Sequence, residues 1–318
     1  MFCFRCFIAA LVALAPAGAS AQAYPAKPVR VIVPFAPGGG SDITARLMSQ
    51  KLAEHFGQSF VADNRPGAGG LVGAEVAAKA PPDGYTIMIS TSSWVTAAAI
   101  HKPAFDPISS LAPIAEIGFN PLVLSVHPAL PCRTTKELIA LARSKPGELA
   151  VATPGVGSIT HLATELFVAM ARIKTVMVPY KSTGATMSDV ITGRTQFIVG
   201  GLLPLQPYLQ PGKLRAIAVT TAKRWPTLPD VPTVGETLPG YEVESWYGAV
   251  APRATSSAVI ERLNAAMNAI LQQPEMKKNL ESQGMTPTGG STEQFNRRVR
   301  NDYERWIAVV KEAGIKPE

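Results

Sequence analysis

Apolar and polar positions alternate in two rhythms along the chain. Residues 29–35 form an apolar run with the length of a buried strand, ending in Pro37-Gly38-Gly39-Gly40. Beyond Ser41-Asp42, the residues Ile43, Leu47, Met48, Leu52 and Phe56 recur at three- to five-residue steps, the rhythm of one helical face. The stretch therefore predicts strand, glycine turn and helix, with Ser41-Asp42 as the helix-start signal. Residues 59–62 predict a short strand, 64–70 a second glycine loop, and 71–80 a helix closed by Pro81-Pro82. Asp83-Gly84 marks a turn into a buried strand over 85–90.

Residues 114–118 and 122–126 read as strands leaving this first unit. Thr134 or Thr135 caps a helix to about residue 144, stopped by Pro146-Gly147. A strand over 149–153 ends in Thr153-Pro154-Gly155-Val156-Gly157-Ser158, and a helix follows over 159–171, repeating the opening logic. Residues 176–180, 197–199 and 214–220 are strands, 187–192 a short helix, and 214–220 a return crossover. Prolines at 226, 229, 232 and 239 mark an ordered surface loop, because Leu228, Val231 and Val234 punctuate it. Residues 246–250 rejoin the first unit as a strand, and Ser256 or Ser257 starts a helix to about residue 271. Residues 294–312 form an amphipathic helix, with Phe295, Val299, Tyr303, Trp306 and Val310 on one face.

Strands alternating with helices predict an α/β fold of parallel sheets joined by right-handed crossovers. Ligands in such sheets lie at the carboxyl ends of the strands. Residues 35–42 and Thr91-Ser92-Ser93 then share one rim. The two similar units imply two lobes that each aim a helix start at a common cleft: residues 24–120 with 222–318 as lobe one, and 121–221 as lobe two. A helix start offers unpaired N–H groups and the positive end of a dipole, which suits a carboxylate or phosphate. The alternative is a pair of turns that bind nothing.

Length and composition narrow this picture. The chain has 318 residues, room for about two domains, and is 47% hydrophobic and 17% charged, as globular proteins are. Its formal charge of +7 is scattered; the densest group, Arg297, Arg298 and Arg300, falls on a helix as a solvated face, so no nucleic-acid partner is expected. Residues 1–23 carry Arg5, an apolar core over 7–15 and the small-residue site Ala21-Gln22-Ala23, the pattern of a secretory signal peptide cleaved before Tyr24. The apolar core is too short for a stable membrane anchor. Cys3 and Cys6 leave with it, and Cys132 remains alone, with no internal disulfide. An exported chain without disulfides fits a periplasm.

Catalytic patterns are missing. Of the four histidines, His161 shares a helix face with Glu165, but a metal pair there lacks a third ligand, and a first-turn histidine bonding its neighbours is the competing reading. No G-x-S-x-G elbow or H-E-x-x-H motif occurs. Cys132 follows Pro131 with no base nearby in sequence, and Glu242 and Glu244 read as a solvated pair. Gly38-Gly39-Gly40-Ser41 lacks the lysine of a phosphate-binding loop, and the third glycine of Gly67–Gly73 is misplaced for a dinucleotide fingerprint. No metal and no cofactor are expected. What remains is two helix starts and hydroxyl-rich strand ends, donors that hold a carboxylate without a permanent buried charge.

Six stretches, in order, carry a family resemblance: YPAKPVRVIVPFAPGGGSD from Tyr24, Asn64-Arg65-Pro66-Gly67-Ala68-Gly69-Gly70, Pro82-Asp83-Gly84-Tyr85-Thr86, Gly155-Val156-Gly157-Ser158 with His161-Leu162, Val178-Pro179-Tyr180-Lys181, and Leu228-Pro229-Asp230-Val231-Pro232-Thr233 with Glu236. Over essentially the whole length after residue 23, the chain resembles the tripartite tricarboxylate transporter substrate-binding receptors, the TctC/Bug family. The resemblance implies a type II periplasmic-binding fold: two α/β lobes, each a mainly parallel sheet flanked by helices, two crossover strands and a closing cleft. It also implies a monomeric periplasmic receptor for a small carboxylate, partnered by membrane transporter subunits. Carried over, the ligand residues are Phe35, Ala36, Gly38, Gly39 and Asp42 from lobe one, with Asp42 holding the loop, and Thr153, Gly155, Gly157 and Ser158 from lobe two. Thr91 and Ser93 are expected to reach the far end of the ligand, and Tyr180, Thr183 and Gly200 to finish the pocket. Three departures stand out: Ser182-Thr183 precede Gly184, no acid follows the strand at Gly200-Gly201, and Ala99-Ile100-His101-Lys102-Pro103 replaces an Asn-Pro pair. The missing acid weakens recognition of an ammonium group and points to a di- or tricarboxylate or an aromatic acid. A periplasmic sensor feeding a signalling protein and an exported carboxylate-processing enzyme are the rival functions.

Overall fold

The computed structural model describes residues 24–101 and 103–315. The signal peptide read in residues 1–23 lies outside them. The chain opens as β1 (Val29–Val33), α1 (Gly40–Phe56), β2 (Phe60–Asn64), α2 (Leu71–Ala78), β3 (Thr86–Thr91) and α3 (Ser93–His101). A one-turn α4 (Pro107–Ser110), capped by Asp106, leads into β4 (Leu111–Val126). Then come α5 (Thr135–Ser144), β5 (Ala150–Pro154), α6 (Ile159–Ala171), β6 (Val176–Tyr180), α7 (Thr183–Ile191), β7 (Phe197–Gly201), α8 (Leu202–Leu209) and β8 (Arg215–Val219). The return consists of β9 (Glu244–Pro252), α9 (Ser257–Gln272), α10 (Pro274–Ser282), β10 (Thr286–Pro287) and α11 (Thr292–Glu312).

The strands form one continuous sheet in the order β2-β1-β3-β9-β4-β7-β5-β6, with β8 and β10 also on β4. Each end is parallel: β2-β1-β3 in one half and β7-β5-β6 in the other. The centre is antiparallel, because β9 runs against β3 and β4, and β4 against β7 and β8. In the parallel ends the inner strands β1, β3, β5 and β7 are buried on both faces, as their aliphatic runs require, whereas the edge strands β2 and β6 are partly exposed. Val31, Val33, Ile87, Met48 and Leu52 are fully buried in the first half, and Val151, Leu162, Phe167 and Phe197 in the second.

Several expectations are corrected. Residues 114–118 and 122–126 are not two strands but parts of the 16-residue β4. Pro121 does not break it, because this proline pairs with Glu244 at the passage between the two halves. Strand β8 is no crossover: it stays in the second half, antiparallel to β4. The return is made after it, where Val243 N–H donates to Thr220 O and β9 begins. The helix expected from 187 starts at Thr183, capped by Ser182, and the helix expected to reach residue 80 ends at Ala78. Helices α3 and α10 went unread, α3 because its Trp94–Ile100 run is buried on every side and so lacks a polar face. The proline-rich loop is ordered as expected, with Val234 buried and Leu228 and Val231 packed on the second half.

Helix α11 closes the back of the crossing. Phe295 enters a gap that exists because residue 248 is glycine; an added Cβ there would lie 2.1 Å from the ring. The ring meets Trp246 edge-on, with centroids 5.2 Å apart. Further along, Trp306 and Ile315 belong to the apolar cluster of Phe167 and Tyr241 in the second half, whereas Phe295 and Val299 belong to that of Ile32 and Met88 in the first. One helix thus packs on both halves.

Charges accompany that contact. Trp246 Nε1 donates to Asp302 Oδ2 at 2.8 Å, Arg298 pairs with Glu244, and Arg298 Nε stands 3.8 Å from Glu116 Oε1. Burial pushes the Glu116 carboxyl up to about 6; Arg298 pulls against this and Glu244 adds to it. A carboxyl whose folded pKa lies above its unfolded value weighs against the fold once it is ionised. Its contribution falls as pH rises from 4.5 to about 6 and stays low above. Glu116→Gln should therefore raise the melting temperature by a few degrees near neutral pH, for a gain of about 1–2 kcal/mol. It should change little below the unfolded carboxylate range. Equal shifts under both conditions in a thermal melt would assign the effect to packing instead of ionisation.

Candidate functional site: an interlobe cradle of helix starts

Five βα turns lie on one edge of the sheet, so the starts of α1, α3, α6, α7 and α8 converge there. They enclose a cavity of about 40 Å³ lined by Phe35, Gly39, Gly40, Ser41, Thr91, Ser93, Leu122, Pro154, Ser158, Ile159, Thr160, Ser182, Thr183, Gly201, Pro204, Ser245 and Tyr247. Nine of these carry a hydroxyl and none is charged. Helix N-termini contribute unpaired N–H groups and positive partial charge. Together with hydroxyls that turn to suit their partner, they can hold an anion with no charged side chain beside it.

The first helix start is held from behind. Asp42 Oδ2 accepts from Gly38 N–H at 3.1 Å, and its Oδ1 accepts from Arg46 Nε and Asn64 Nδ2, both at 2.9 Å. Burial alone would raise the Asp42 carboxyl, but the Arg46 and Asn64 hydrogen bonds outweigh it and hold the group below its ordinary value. Asn64 Nδ2 also donates to Phe35 O at 2.9 Å, fixing the strand end to the turn. Gly38 has φ +80°, a conformation that glycine adopts without strain. The expected Ser41-Asp42 cap is not formed: α1 begins at Gly40 with Gly39 as its uncapped N-cap. Ser41 Oγ accepts instead from Thr91 N–H at 3.1 Å, tying α1 to the end of β3.

The second start is capped in the ordinary way. Ser158 Oγ accepts from His161 N–H at 3.3 Å and donates to Pro154 O. Thr160 Oγ1 donates to the same carbonyl at 2.9 Å. His161 is buried, and its Nδ1 accepts from Gly157 N–H at 3.2 Å, the neighbour-bonded role rather than a metal ligand. Among the described residues, no group of three His, Cys, Asp or Glu is placed to hold a metal ion.

The two halves touch here. Ile159 N–H, at the start of α6, donates to Ser93 Oγ at 3.2 Å, and Thr91 Oγ1 donates to that same hydroxyl at 2.8 Å. Thr96 Oγ1 donates to Gly157 O at 2.9 Å. Glycines make the seam tight: a Cβ on Gly184 would lie 2.8 Å from Gly38 O, and one on Gly69 would lie 2.7 Å from Val156 O.

Of the residues expected at the site, Phe35, Gly39, Thr91, Ser93, Ser158 and Thr183 line the cavity. Gly155 and Tyr180 line an adjoining groove, and Ala36, Gly38, Asp42, Thr153, Gly157 and Gly200 line neither. Thr91 and Ser93 stand against the α6 start, and Gly200 is turned onto Leu205 and Ile198 while Gly201 faces the cavity. The opposite wall, Leu122, Ser245 and Tyr247, comes from the central antiparallel strands and went unread. Ser245 and Tyr247 sit two apart on β9, so they face one side. A Ser and a Tyr at that spacing in an aliphatic strand were the available signal. Burial pushes the Tyr247 hydroxyl up to about 12, with Asn120 and Ser245 offsetting part of the rise, so it remains a neutral donor. It reaches the α1 start because residue 40 is glycine: a Cβ there would lie 2.4 Å from the Tyr247 oxygen.

Comparison with known proteins follows the same lines. The profile of the "Tripartite tricarboxylate transporter family receptor" matches residues 44–315. Protein BugT of Bordetella pertussis is 35% identical over 314 residues, 98% of this chain and 96% of its own. A solved R. palustris protein, Rpa4515 with adipate, superposes with a TM-score of 0.90 at 39% identity, covering 93% of this chain and 100% of its own. MatC from Rhodopseudomonas palustris with bound malate superposes at 0.86 with 30% identity, covering 90% and 100%. The fold is accordingly the type II fold of periplasmic solute-binding proteins.

The seam yields a prediction. Gly184→Ala places a methyl against backbone that cannot swing away, so it should hold the halves apart at the α1–α7 contact. The expected result is an unchanged far-UV circular dichroism spectrum with a wider small-angle scattering envelope. A scattering curve identical to the parent's would mean that the seam absorbs the methyl.

Proposed function

The chain belongs to the tripartite tricarboxylate transporter family of receptors, and from that premise we propose that it binds a small carboxylate between two closing lobes, residues 24–120 with 222–318 and residues 121–221, and presents it to membrane transporter subunits. One observation carries this reading: a neutral, hydroxyl-lined cavity at the meeting point of helix starts from both halves. Ser41, Thr91 and Ser93 belong to one half and the α6 and α7 starts to the other, so a bound carboxylate would join them. Adipate in the Rpa4515 protein and malate in MatC are carboxylates too, which supports the same ligand class here. The leader read in residues 1–23 supports export to the periplasm with cleavage before Tyr24.

Binding without turnover is the reading we adopt. Cys132 is buried, and burial pushes its thiol up to about 11, the opposite of an activated nucleophile. His161 is engaged by the Gly157 amide. No helix among the described residues is long and apolar enough to cross a membrane. Membership of a transporter-receptor family is what supports delivery to membrane partner subunits.

A thermal-shift screen with mono-, di- and tricarboxylates, amino acids and aromatic acids tests the reading. A ligand present at about 100 times its dissociation constant adds about 2.7 kcal/mol, a rise of several degrees for a chain of this size. Carboxylates lacking an ammonium group should give the largest shifts. In Gly40→Ala, which drives the Tyr247 hydroxyl from its place, the shift should vanish while the unliganded protein still melts cooperatively. Shifts from amino acids alone, or an undiminished shift in the variant, would overturn the assignment.

A further inference from the structure

The inner cavity is small. At about 40 Å³, where one water-sized group takes on the order of 10–15 Å³, it admits roughly three such groups. A carboxylate and the carbon next to it fill it. A longer ligand needs space elsewhere, and a second compartment adjoins it.

That compartment is a groove of about 340 Å³ between residues 66–69 of the first half and Gly155, Val156 and residues 179–181 of the second. Phe35 lines both spaces. Its ring is 8% exposed and lies between two glycines: a Cβ on Gly155 would fall 3.3 Å from Cε1, and one on Gly70 would fall 3.5 Å from Cε2. The ring is thus the partition, seated close against the backbone of both glycines. The groove walls combine the apolar surfaces of prolines, Ala68, Val156 and the Phe35 and Tyr180 rings with polar glycine backbone. The Tyr180 hydroxyl is committed to Asp189 Oδ2 at 2.6 Å, and Asp189 is in turn paired with Arg194. Lys181 is the groove's one charged lining residue, and among the described residues its ammonium has no carboxylate within 4.0 Å.

Resting on the receptor reading above, we propose that this groove is the outer compartment of the ligand site. Phe35 is the partition between the compartments, and Lys181 receives a second carboxylate. The substrate class is then an extended dicarboxylate: one end sits in the neutral cradle of helix starts, an aliphatic or aromatic middle crosses the groove, and the far carboxylate meets Lys181. A neutral inner end and a cationic outer end also set the direction in which such a ligand lies.

Isothermal titration of the receptor with malonate, suberate and octanoate tests this. Suberate and octanoate share a chain length and differ in the second carboxylate. The parent should bind suberate more tightly than octanoate. Lys181→Gln should shrink that ratio about fivefold, the scale of an exposed ion pair, and Lys181→Arg should restore it. Phe35→Ala joins the two compartments and should raise the suberate-to-malonate ratio. A suberate-to-octanoate ratio equal in parent and Lys181→Gln would overturn the proposal, as would malonate binding with no suberate binding; in both cases the receptor reading stands. Failure of all three acids and of the wider carboxylate panel would remove the receptor reading and this inference with it.

Discussion

Unpaired backbone N–H groups at the helix starts are the constraint on which the rest of this molecule depends. A parallel sheet places every strand-to-helix turn on one edge, and each turn leaves orphan donors there. Solvent satisfies such donors in an open cleft. In the closed arrangement solvent is largely excluded, so the donors need other partners. Some are found across the seam, where Ser93 Oγ accepts from Ile159 N–H. Others are found within a half, where Ser158 accepts from His161 N–H and Ser182 from Ala185 N–H. An anion in the cavity would serve the remainder, which makes ligand and closure mutually dependent.

Closure in turn requires a back that bends without coming apart. Strand β4 runs unbroken through both halves and pairs with β9 from Leu111 to Pro121 and with β7 from Leu122 to Val126. The passage is marked by Pro121 opposite Glu244, and the register of β4 against β9 shifts at two places. Such shifts weaken a ladder locally and raise its twist. Helix α11 lies behind this passage, with Phe295 seated over Gly248 and Trp306 among the side chains of the second half. Burial of aromatic rings at both ends of one helix resists separation of the halves far more than it resists a small change in their angle.

Much of this was legible in the sequence, and the failures have physical causes. The strand–turn–helix units were visible because Pro-Gly turns and hydroxyl caps are local chemistry: Ser158, Ser256 and Thr134 announce helix starts from within one turn, although Ser182, the cap of α7, went unread. Those turns place residues 35–42 and Thr91-Ser92-Ser93 on one rim, whereas Ser158 and Thr183 entered as ligand residues through the family resemblance. Tyr247 and Ser245 did not, because their place at the cavity depends on β9 inserting antiparallel between β3 and β4, a pairing of residues far apart in the chain. Helix α3 was hidden by being buried all round, and β4 by a proline that usually ends a strand. Ser41 looked like a cap and is instead a bridge to Thr91, since the backbone at Gly39 places no side chain at the cap position.

Charge is segregated with equal consistency. Buried Glu116 and half-buried Glu244, Asp302 and Arg298 gather behind the crossing, and Asp42 is turned away from the cavity toward Arg46 and Asn64. The cradle itself carries helix-end dipoles and hydroxyls among apolar side chains, and no charged group lines it. In a water-poor space, a fixed cation opposite a carboxylate would be strongly attractive and slow to let go, whereas partial charges at helix ends lose their hold as soon as the seam opens and water returns. Tyr247, with its hydroxyl pushed up to about 12, keeps its proton at every ordinary pH, so binding and release in the proposed cradle would proceed without any group there changing charge. A receptor that must surrender its cargo gains from that arrangement: capture draws on geometry that closure assembles, and release needs only that the geometry be undone.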